Sequence, residues 1–126
     1  MAYIRIIKRY KKRYEIRFGI YSPQRLAFTE DISANGLFIR TANITPVGTR
    51  ILIDLILPNS DTVSIEGVVR WARNPPQTTT MADKCGMGVE IKLFIAGEAS
   101  YRKHIAELNS RESKLMSNHV RFISAP

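Results

Sequence analysis

Cysteine and histidine are scarce in this chain, which limits the kinds of site it can carry. The single cysteine, Cys85, cannot form an internal disulfide and has no partner at the spacing of a zinc site. Neither histidine, His104 nor His119, belongs to a recognisable nucleophile–base series. We therefore expect no enzymatic activity, no metal and no cofactor.

Long apolar runs are also missing. No stretch reaches the roughly 18 apolar residues that a membrane-spanning helix needs, and the N-terminus lacks the apolar core of a signal peptide. A lone cysteine fits a reducing compartment, so we expect a cytoplasmic protein. The length of 126 residues suits a single domain.

Acidic residues are nearly absent from the start of the chain. Residues 1–25 contain one acid, Glu15, and eight bases: Arg5, Lys8, Arg9, Lys11, Lys12, Arg13, Arg17 and Arg25. Almost all of the formal net charge of +8 therefore lies there, and the remainder of the chain is close to neutral. A general nucleic-acid binder often spreads its charge along a groove, and a local cluster fits a compact anionic ligand equally well.

The middle of the chain shows the alternation of apolar and polar residues that is typical of β-strands. It predicts six strands: Tyr14–Phe18, Arg25–Ile32, Leu37–Thr41, Arg50–Leu57, Val63–Trp71 and Cys85–Phe94. Prolines and threonines between Asn74 and Asp83 predict a flexible loop before the last strand. Six short strands in this order favour a mostly β fold, a small six-stranded antiparallel barrel.

The period changes after the last strand. From about Glu98 to Met116 a helical repeat places four apolar side chains on one face: Tyr101, Ile105, Leu108 and Leu115. We expect this helix to pack on the barrel. The predicted organisation is a flexible basic arm over residues 1–13, a barrel with a C-terminal α-helix over residues 14–116, and a tail over residues 117–126.

The first candidate motif lies in the basic arm, where Arg9 and Arg13 are four residues apart. In a helix the two side chains would share a face, and in an extended segment they would lie roughly 13 Å apart. Arginine suits phosphate and the O6/N7 edge of guanine because its planar fork donates two parallel hydrogen bonds. Arg13 and Arg17 have the same spacing, but we prefer Arg9 and Arg13 because Arg17 lies inside a predicted strand. An unliganded basic arm is the plain structural alternative.

The second candidate motif is Asp31-Ile32-Ser33-Ala34-Asn35-Gly36. Strand alternation sends Ile32 to the core and predicts that Asp31 and Ser33 face outward side by side. Gly36 can adopt a positive φ and would let a ligand approach the backbone. The Asp31 carboxylate can accept hydrogen bonds from the donor edge of guanine and would complement the two arginines. An ordinary hairpin turn explains the pattern equally well.

Four segments together resemble the PilZ domain family, the bacterial receptor module for cyclic di-GMP. They cover nearly the whole chain: Arg9-x-x-x-Arg13, Asp31-x-Ser33-x-x-Gly36, the Gly67–Trp71 strand and the Gly86–Glu90 strand. The resemblance implies a split-barrel type of six-stranded β-barrel with a C-terminal helix. It also implies that the arginine-bearing arm folds over ligand on the outer surface of the barrel.

The resemblance assigns a role to each motif residue. Arg9 and Arg13 would bind phosphate and guanine edges, and Asp31 would accept hydrogen bonds from guanine N1 and N2. Ser33 would bind phosphate or base, and Gly36 would permit close approach. Possible additional contacts are Lys8, Asn35, Arg40 and Trp71, with an aromatic plug in the barrel mouth as the alternative role of Trp71.

By this resemblance the protein is a cyclic di-GMP effector. We expect residues 1–12 to be mobile without ligand, and ligand to order the arm and change interactions with a downstream protein in motility, adhesion or biofilm control. The alternatives are a basic barrel that binds single-stranded nucleic acid, which the scarcity of outward aromatics disfavours, and a PilZ-like interaction module that binds no nucleotide. A monomer and a homodimer are both compatible with the sequence.

Overall fold

The structure, a computed structural model, describes residues 7–74 and 85–123, with side chains described as far as residue 112. Within these ranges seven strands precede one helix. Their bounds are β1 Arg9–Tyr10, β2 Glu15–Gly19, β3 Arg25–Ser33, β4 Gly36–Arg40, β5 Arg50–Ile56, β6 Thr62–Arg73, β7 Gly86–Ala96 and α1 Glu98–Ile123. No helix among the described residues is both long and apolar enough to cross a bilayer.

Six of the strands close into an antiparallel barrel. The hydrogen-bonded order is β3-β2-β5-β6-β7-β4, and β4 also pairs with β3, which completes the ring. The predicted barrel and its six strands are confirmed, with bounds that differ by a few residues. Alternation explains this agreement for most strands, because a closed sheet buries their inner side, whereas β4 is buried on both sides over four of its five residues.

The barrel interior is filled mainly by branched aliphatic side chains. Its fully buried members include Ile16, Phe18, Ile32, Leu37, Ile39, Ile51, Ile53, Leu55, Val63, Ile65, Val69 and Met87. Helix α1 covers this core with Tyr101, Leu108 and, less deeply, Ile105. These three residues confirm the predicted helical face, and the fourth, Leu115, lies outside the residues whose side chains are described.

A short strand at Arg9 and Tyr10 differs from the expectation of a loose arm. Arg9 pairs with Ser33 and Tyr10 with Ile32, and the Tyr10 side chain is only 7% exposed within the core cluster. Its hydroxyl also donates a hydrogen bond to Asn109 Oδ1, at 3.2 Å. Burial of this aromatic ring explains why pairing begins before residue 14. The part of the predicted arm before residue 7 lies outside the described residues.

Helix α1 continues beyond the predicted end at Met116, as far as Ile123. Most of the predicted tail, residues 117–126, is therefore helical. The reason is local, because neither glycine nor proline occurs between Glu98 and Ile123 and nothing in that stretch stops a helix. The predicted loop falls outside the described residues, apart from its first residue, Asn74.

Candidate ligand-binding site

Both sequence motifs contribute to one cleft on the outside of the barrel. The cleft has a volume of about 350 Å³ and lies between β1, the β3–β4 turn, β6 and β7. Its lining comprises Ile7, Arg9, Ser33, Asn35, Gly36, Arg70, Trp71, Gly88, Val89 and Glu90. Residues far apart in sequence thus meet because β4 pairs with β7 and β1 is added to the edge of β3.

Arg9 and Asp31 form an ion pair beside the cleft, with 2.7 Å between Arg9 Nη1 and Asp31 Oδ1. The pairing of β1 with β3 brings them together, because Arg9 lies opposite Ser33, two residues from Asp31. The Asp31 side chain is 19% exposed and that of Arg9 is 50% exposed. An ion pair of this exposure is worth about 0–1 kcal/mol, so its partners can be exchanged at little cost.

Ser33 does not stand in solvent beside Asp31, as strand alternation predicted. The residue is 2% exposed, and its hydroxyl holds the turn between β3 and β4. Ser33 Oγ accepts hydrogen bonds from the backbone amides of Asn35, at 3.3 Å, and Gly36, at 3.1 Å, and donates to the Gly36 carbonyl, at 3.2 Å. The sharp turn that leads from β3 to β4 encloses this hydroxyl, which the period-two rule alone does not foresee.

Gly36 is required by the sheet itself, which corrects the sequence expectation. Its φ is not among the positive values of the described residues, which belong to Gly48, Ser60 and Gly97. A Cβ at Gly36 would lie 2.4 Å from the carbonyl oxygen of Val89 on β7. The missing side chain therefore lets β4 and β7 approach, and it also leaves the floor of the cleft open.

Asn35 occupies the tip of the same turn. Its side chain is exposed to solvent beside the cleft, while its backbone carbonyl accepts a hydrogen bond from the Ile91 amide at 2.8 Å. The backbone of Asn35 is thus fixed to β7, whereas its amide side chain can turn toward a bound molecule.

Trp71 lies outside the barrel in the cleft, so the alternative of a plug in the barrel mouth does not apply. The indole is 43% exposed and packs on the Phe38 ring at 5.0 Å between centroids. A register shift between Val69 and Trp71 in the β6–β7 pairing breaks the parity that grouped Trp71 with core residues. Gly88 makes room for the ring, because a Cβ there would lie 2.0 Å from the indole nitrogen.

Neither Arg13 nor Arg17 is among the residues that line the cleft. The guanidinium of Arg13 sits over the Phe28 ring, 4.2 Å from its centroid. Arg17 projects from the middle of β2, where its neighbours across the sheet are Leu26 and Asp54. Arg13 follows β1 by three residues, whereas Arg17 is fixed within the barrel wall.

Two further predicted contacts, Lys8 and Arg40, take part in ion pairs outside the cleft. Lys8 Nζ lies 3.4 Å from Glu112 Oε2 on the helix. Arg40 Nε lies 3.6 Å from Glu30 Oε1, and Arg73 donates a hydrogen bond to the same carboxylate at 2.7 Å. The Arg73 hydrogen bond is the main reason why the pKa of Glu30 is lowered.

The structure adds five cleft residues that the sequence interpretation missed: Ile7, Arg70, Gly88, Val89 and Glu90. Arg70 Nε donates a hydrogen bond to Glu90 Oε1 at 2.6 Å, and Lys92 Nζ lies 3.3 Å from the other carboxylate oxygen. The hydrogen bonds from Arg70 and then Lys92 lower the pKa of Glu90, which keeps it ionised. In the sequence, Arg70 and Glu90 are ordinary polar residues of β-strands, and only the β6–β7 register brings them to the cleft.

Helix α1 is hydrogen-bonded to the turn that carries the second motif. The buried hydroxyl of Tyr101 donates to the Ser33 carbonyl at 2.5 Å, and Arg102 donates to the Ala34 carbonyl at 2.9 Å. Burial raises the pKa of Tyr101 far above its ordinary value, so the hydroxyl stays a donor at any physiological pH.

Comparisons with known proteins agree with this arrangement. The PilZ domain family model matches residues 4–109. A solved structure, the inhibitor of motility from Bacillus subtilis (MotI/DgrA), aligns with a TM-score of 0.69 and 18% identity over 87% of this chain. The chain spans about half of that protein, 53% of its length, and the likeness shows a shared fold. No curated protein matches the chain.

Proposed function

The chain belongs to the PilZ domain family, and on this premise we propose that it is a receptor that binds cyclic di-GMP in the cleft beside β1. One observation carries the proposal. Arg9 of the first motif and Asp31 of the second lie 2.7 Å apart at a cleft that Ser33, Gly36 and Trp71 also border. A guanidinium fork, a carboxylate and an exposed aromatic ring are the groups that a guanine nucleotide requires.

In this proposal Asp31 accepts hydrogen bonds from N1 and N2 of one guanine. Arg9, already at its side, binds the acceptor edge of the base or the adjoining phosphate, and Trp71 offers a face for stacking. Forming the complex exchanges an exposed ion pair worth about 0–1 kcal/mol for contacts worth about 1–3 kcal/mol each. The exchange therefore favours binding.

Ser33 and Gly36 would act mainly by shaping the site. The Ser33 hydroxyl already makes three hydrogen bonds within the turn, so contact with ligand would require it to share or give up one of them. Gly36 keeps β4 close to β7 and leaves the cleft floor without a side chain. Asn35, exposed at the turn, can add a hydrogen bond to phosphate or base, whereas Lys8 and Arg40 would first have to leave their ion pairs.

Arg13 would reach the ligand by leaving the Phe28 ring. A cation–π contact at an exposed site is worth about 0.5–1 kcal/mol, less than the about 1–3 kcal/mol of a bidentate contact to guanine. The swing is therefore favourable once ligand is present. Arg13 lies three residues after β1, in the connection between β1 and β2.

The test is isothermal titration of the wild-type protein with cyclic di-GMP. We expect saturable binding, weakened about tenfold or more in Arg13→Ala because one bidentate contact is lost. Arg17→Ala is the matched control, since Arg17 belongs to the barrel wall and should leave the affinity unchanged. A folded wild-type protein that gives no heat and no chemical-shift change at high ligand concentration would refute the receptor function. Strong, salt-dependent binding to oligonucleotides instead would favour the nucleic-acid alternative.

The output of the receptor would be a change in the surface around β1. Eight bases lie within residues 1–25, and two phosphates would offset part of their mutual repulsion. We expect ligand to slow hydrogen exchange in residues 1–12. The effect should be largest in the residues before β1, because backbone pairing with β3 begins at Arg9. Equal exchange with and without ligand would contradict this change. The downstream protein, in motility, adhesion or biofilm control, would read the altered surface.

A further inference from the structure

Arg70 is a second arginine in the cleft, and it comes from a different element than Arg9. It lies on β6, next to Trp71, and its side chain is 49% exposed. A register shift between Val69 and Trp71 makes two consecutive residues of the strand accessible together. An arginine fork and an aromatic face are therefore adjacent on the same wall of the cleft.

Glu90 holds Arg70 by one nitrogen only. The Nε of Arg70 donates to Glu90 Oε1 at 2.6 Å, and the two terminal nitrogens have no hydrogen-bond partner among the described residues. The other oxygen of Glu90 is near Lys92, which fixes the carboxylate from its far side. Arg70 is thus oriented through Nε, while the donors at the end of its fork remain available to a bound molecule.

The charge around this fork favours a base edge over a phosphate. Glu90 already balances the positive charge of Arg70 at 2.6 Å, so the net attraction for an anion is reduced. The directional donors are unaffected by this balance. Guanine presents two acceptors, O6 and N7, to such a fork, whereas adenine presents N7 beside the N6 donor.

From these contacts we infer that Arg70 reads the O6/N7 edge of a guanine in the ligand, and that Glu90 is its positioning residue. This inference rests on the proposed function, because it names a specificity contact for the same cleft. It assigns to Arg70 a role that the two sequence motifs do not contain, and it makes the cleft discriminate against adenine.

The test compares cyclic di-GMP with its 7-deazaguanine analogue, in which a C–H group replaces the N7 acceptor. Isothermal titration of the full chain should show that wild-type protein binds the analogue several-fold more weakly. Arg70→Ala should bind cyclic di-GMP about tenfold more weakly and should discriminate less between the two ligands. Arg70→Lys should behave like Arg70→Ala, because an ammonium keeps the charge but not the fork.

Glu90→Ala tests the positioning role. It should weaken cyclic di-GMP binding in the wild-type background and should have little further effect in Arg70→Ala, as residues that act through one another are not additive. Arg50→Ala is the matched control, since Arg50 makes a similar pair with Glu66, at 2.8 Å, away from the cleft. Thermal unfolding of each variant checks that the fold is kept.

Two outcomes separate the inference from the proposed function. In the first, wild-type protein binds cyclic di-GMP, and Arg70→Ala either binds it equally well or binds it more weakly while keeping the wild-type preference for cyclic di-GMP over the 7-deazaguanine analogue. Arg70 then does not read the base edge, and the receptor proposal stands. If the folded wild-type protein binds no cyclic di-GMP, both are overturned.

Discussion

Gly36→Ala tests whether the motif glycine serves the fold or only the ligand. A Cβ at this position would lie 2.4 Å from the Val89 carbonyl oxygen, whereas real Cβ contacts are essentially never below 3.0 Å. The obstacle is backbone, so no rotamer change can remove it. Gly36 pairs with Glu90 in the five-residue register between β4 and β7, and the strands must separate locally to admit the methyl group.

The cost follows from the place of this pairing in the closed barrel. Overpacking of a well-packed interior costs about 1–3 kcal/mol, and β4 cannot move alone because β3 holds its other side. A loss of that size should lower the unfolding temperature of a domain of this length by about 4–12 °C. We expect the loss without any ligand present.

The assay is urea or thermal unfolding of Gly36→Ala, without ligand, against wild-type protein. Asn35→Ala is the control, because Asn35 is the exposed neighbour in the same turn and a surface change of this kind usually stays within about 0.5 kcal/mol. Unchanged stability of Gly36→Ala, with a loss of ligand affinity alone, would refute the structural role that we assign to the glycine.

Two other side chains give predictions that unfolding experiments can check. Tyr101→Phe should lower the free energy of unfolding by about 1–3 kcal/mol, because it removes a buried donor from the Ser33 carbonyl without leaving a cavity. Tyr21→Phe is the control, because its ring is exposed and the free energy of unfolding should not change. Equal effects of the two substitutions would show that the Tyr101 hydrogen bond does not stabilise the fold. His104 lies 2.7 Å from the Tyr14 hydroxyl, and burial lowers its pKa below the ordinary 6.5. The folded state therefore favours the neutral ring, and stability present above pH 6.5 should fall as the pH drops toward the lowered pKa. In His104→Gln this part of the pH dependence of the urea midpoint should disappear, and an unchanged pH dependence would show that His104 does not cause it.

The barrel and its helix were predictable because their signals are periodic. Strands β2 and β5 and the first half of β6 alternate between buried and more exposed residues, as the two faces of a closed sheet lead one to expect. Tyr10 was harder to assign, since a single aromatic in a basic segment shows no period. Its burial depends on a groove between β3 and α1 that exists only after the chain has folded.

The candidate site was predictable in its residue types but not in its geometry. Arg9 and Asp31 were identified by spacing, and they do meet. The predicted outward orientation of Ser33 was wrong, because the turn after β3 overrides strand parity there. The orientation of Trp71 was left open between two roles, and a register shift in the β6–β7 pairing decides it. Arg70 lies in the Gly67–Trp71 segment, but the sequence did not mark it as a contact, since its place beside the cleft depends on the pairing of β6 with β7.

The bonds from Tyr101 and Arg102 to the carbonyls of Ser33 and Ala34 have a mechanical consequence. Consecutive residues at the beginning of the helix hold consecutive residues of the turn, so we expect the turn and the first turn of the helix to move together. A displacement of the turn must either carry the first turn of the helix with it or break both bonds, at about 1 kcal/mol each. The helix, which extends over 26 residues, would convert a small rotation at its base into a larger displacement at its far end.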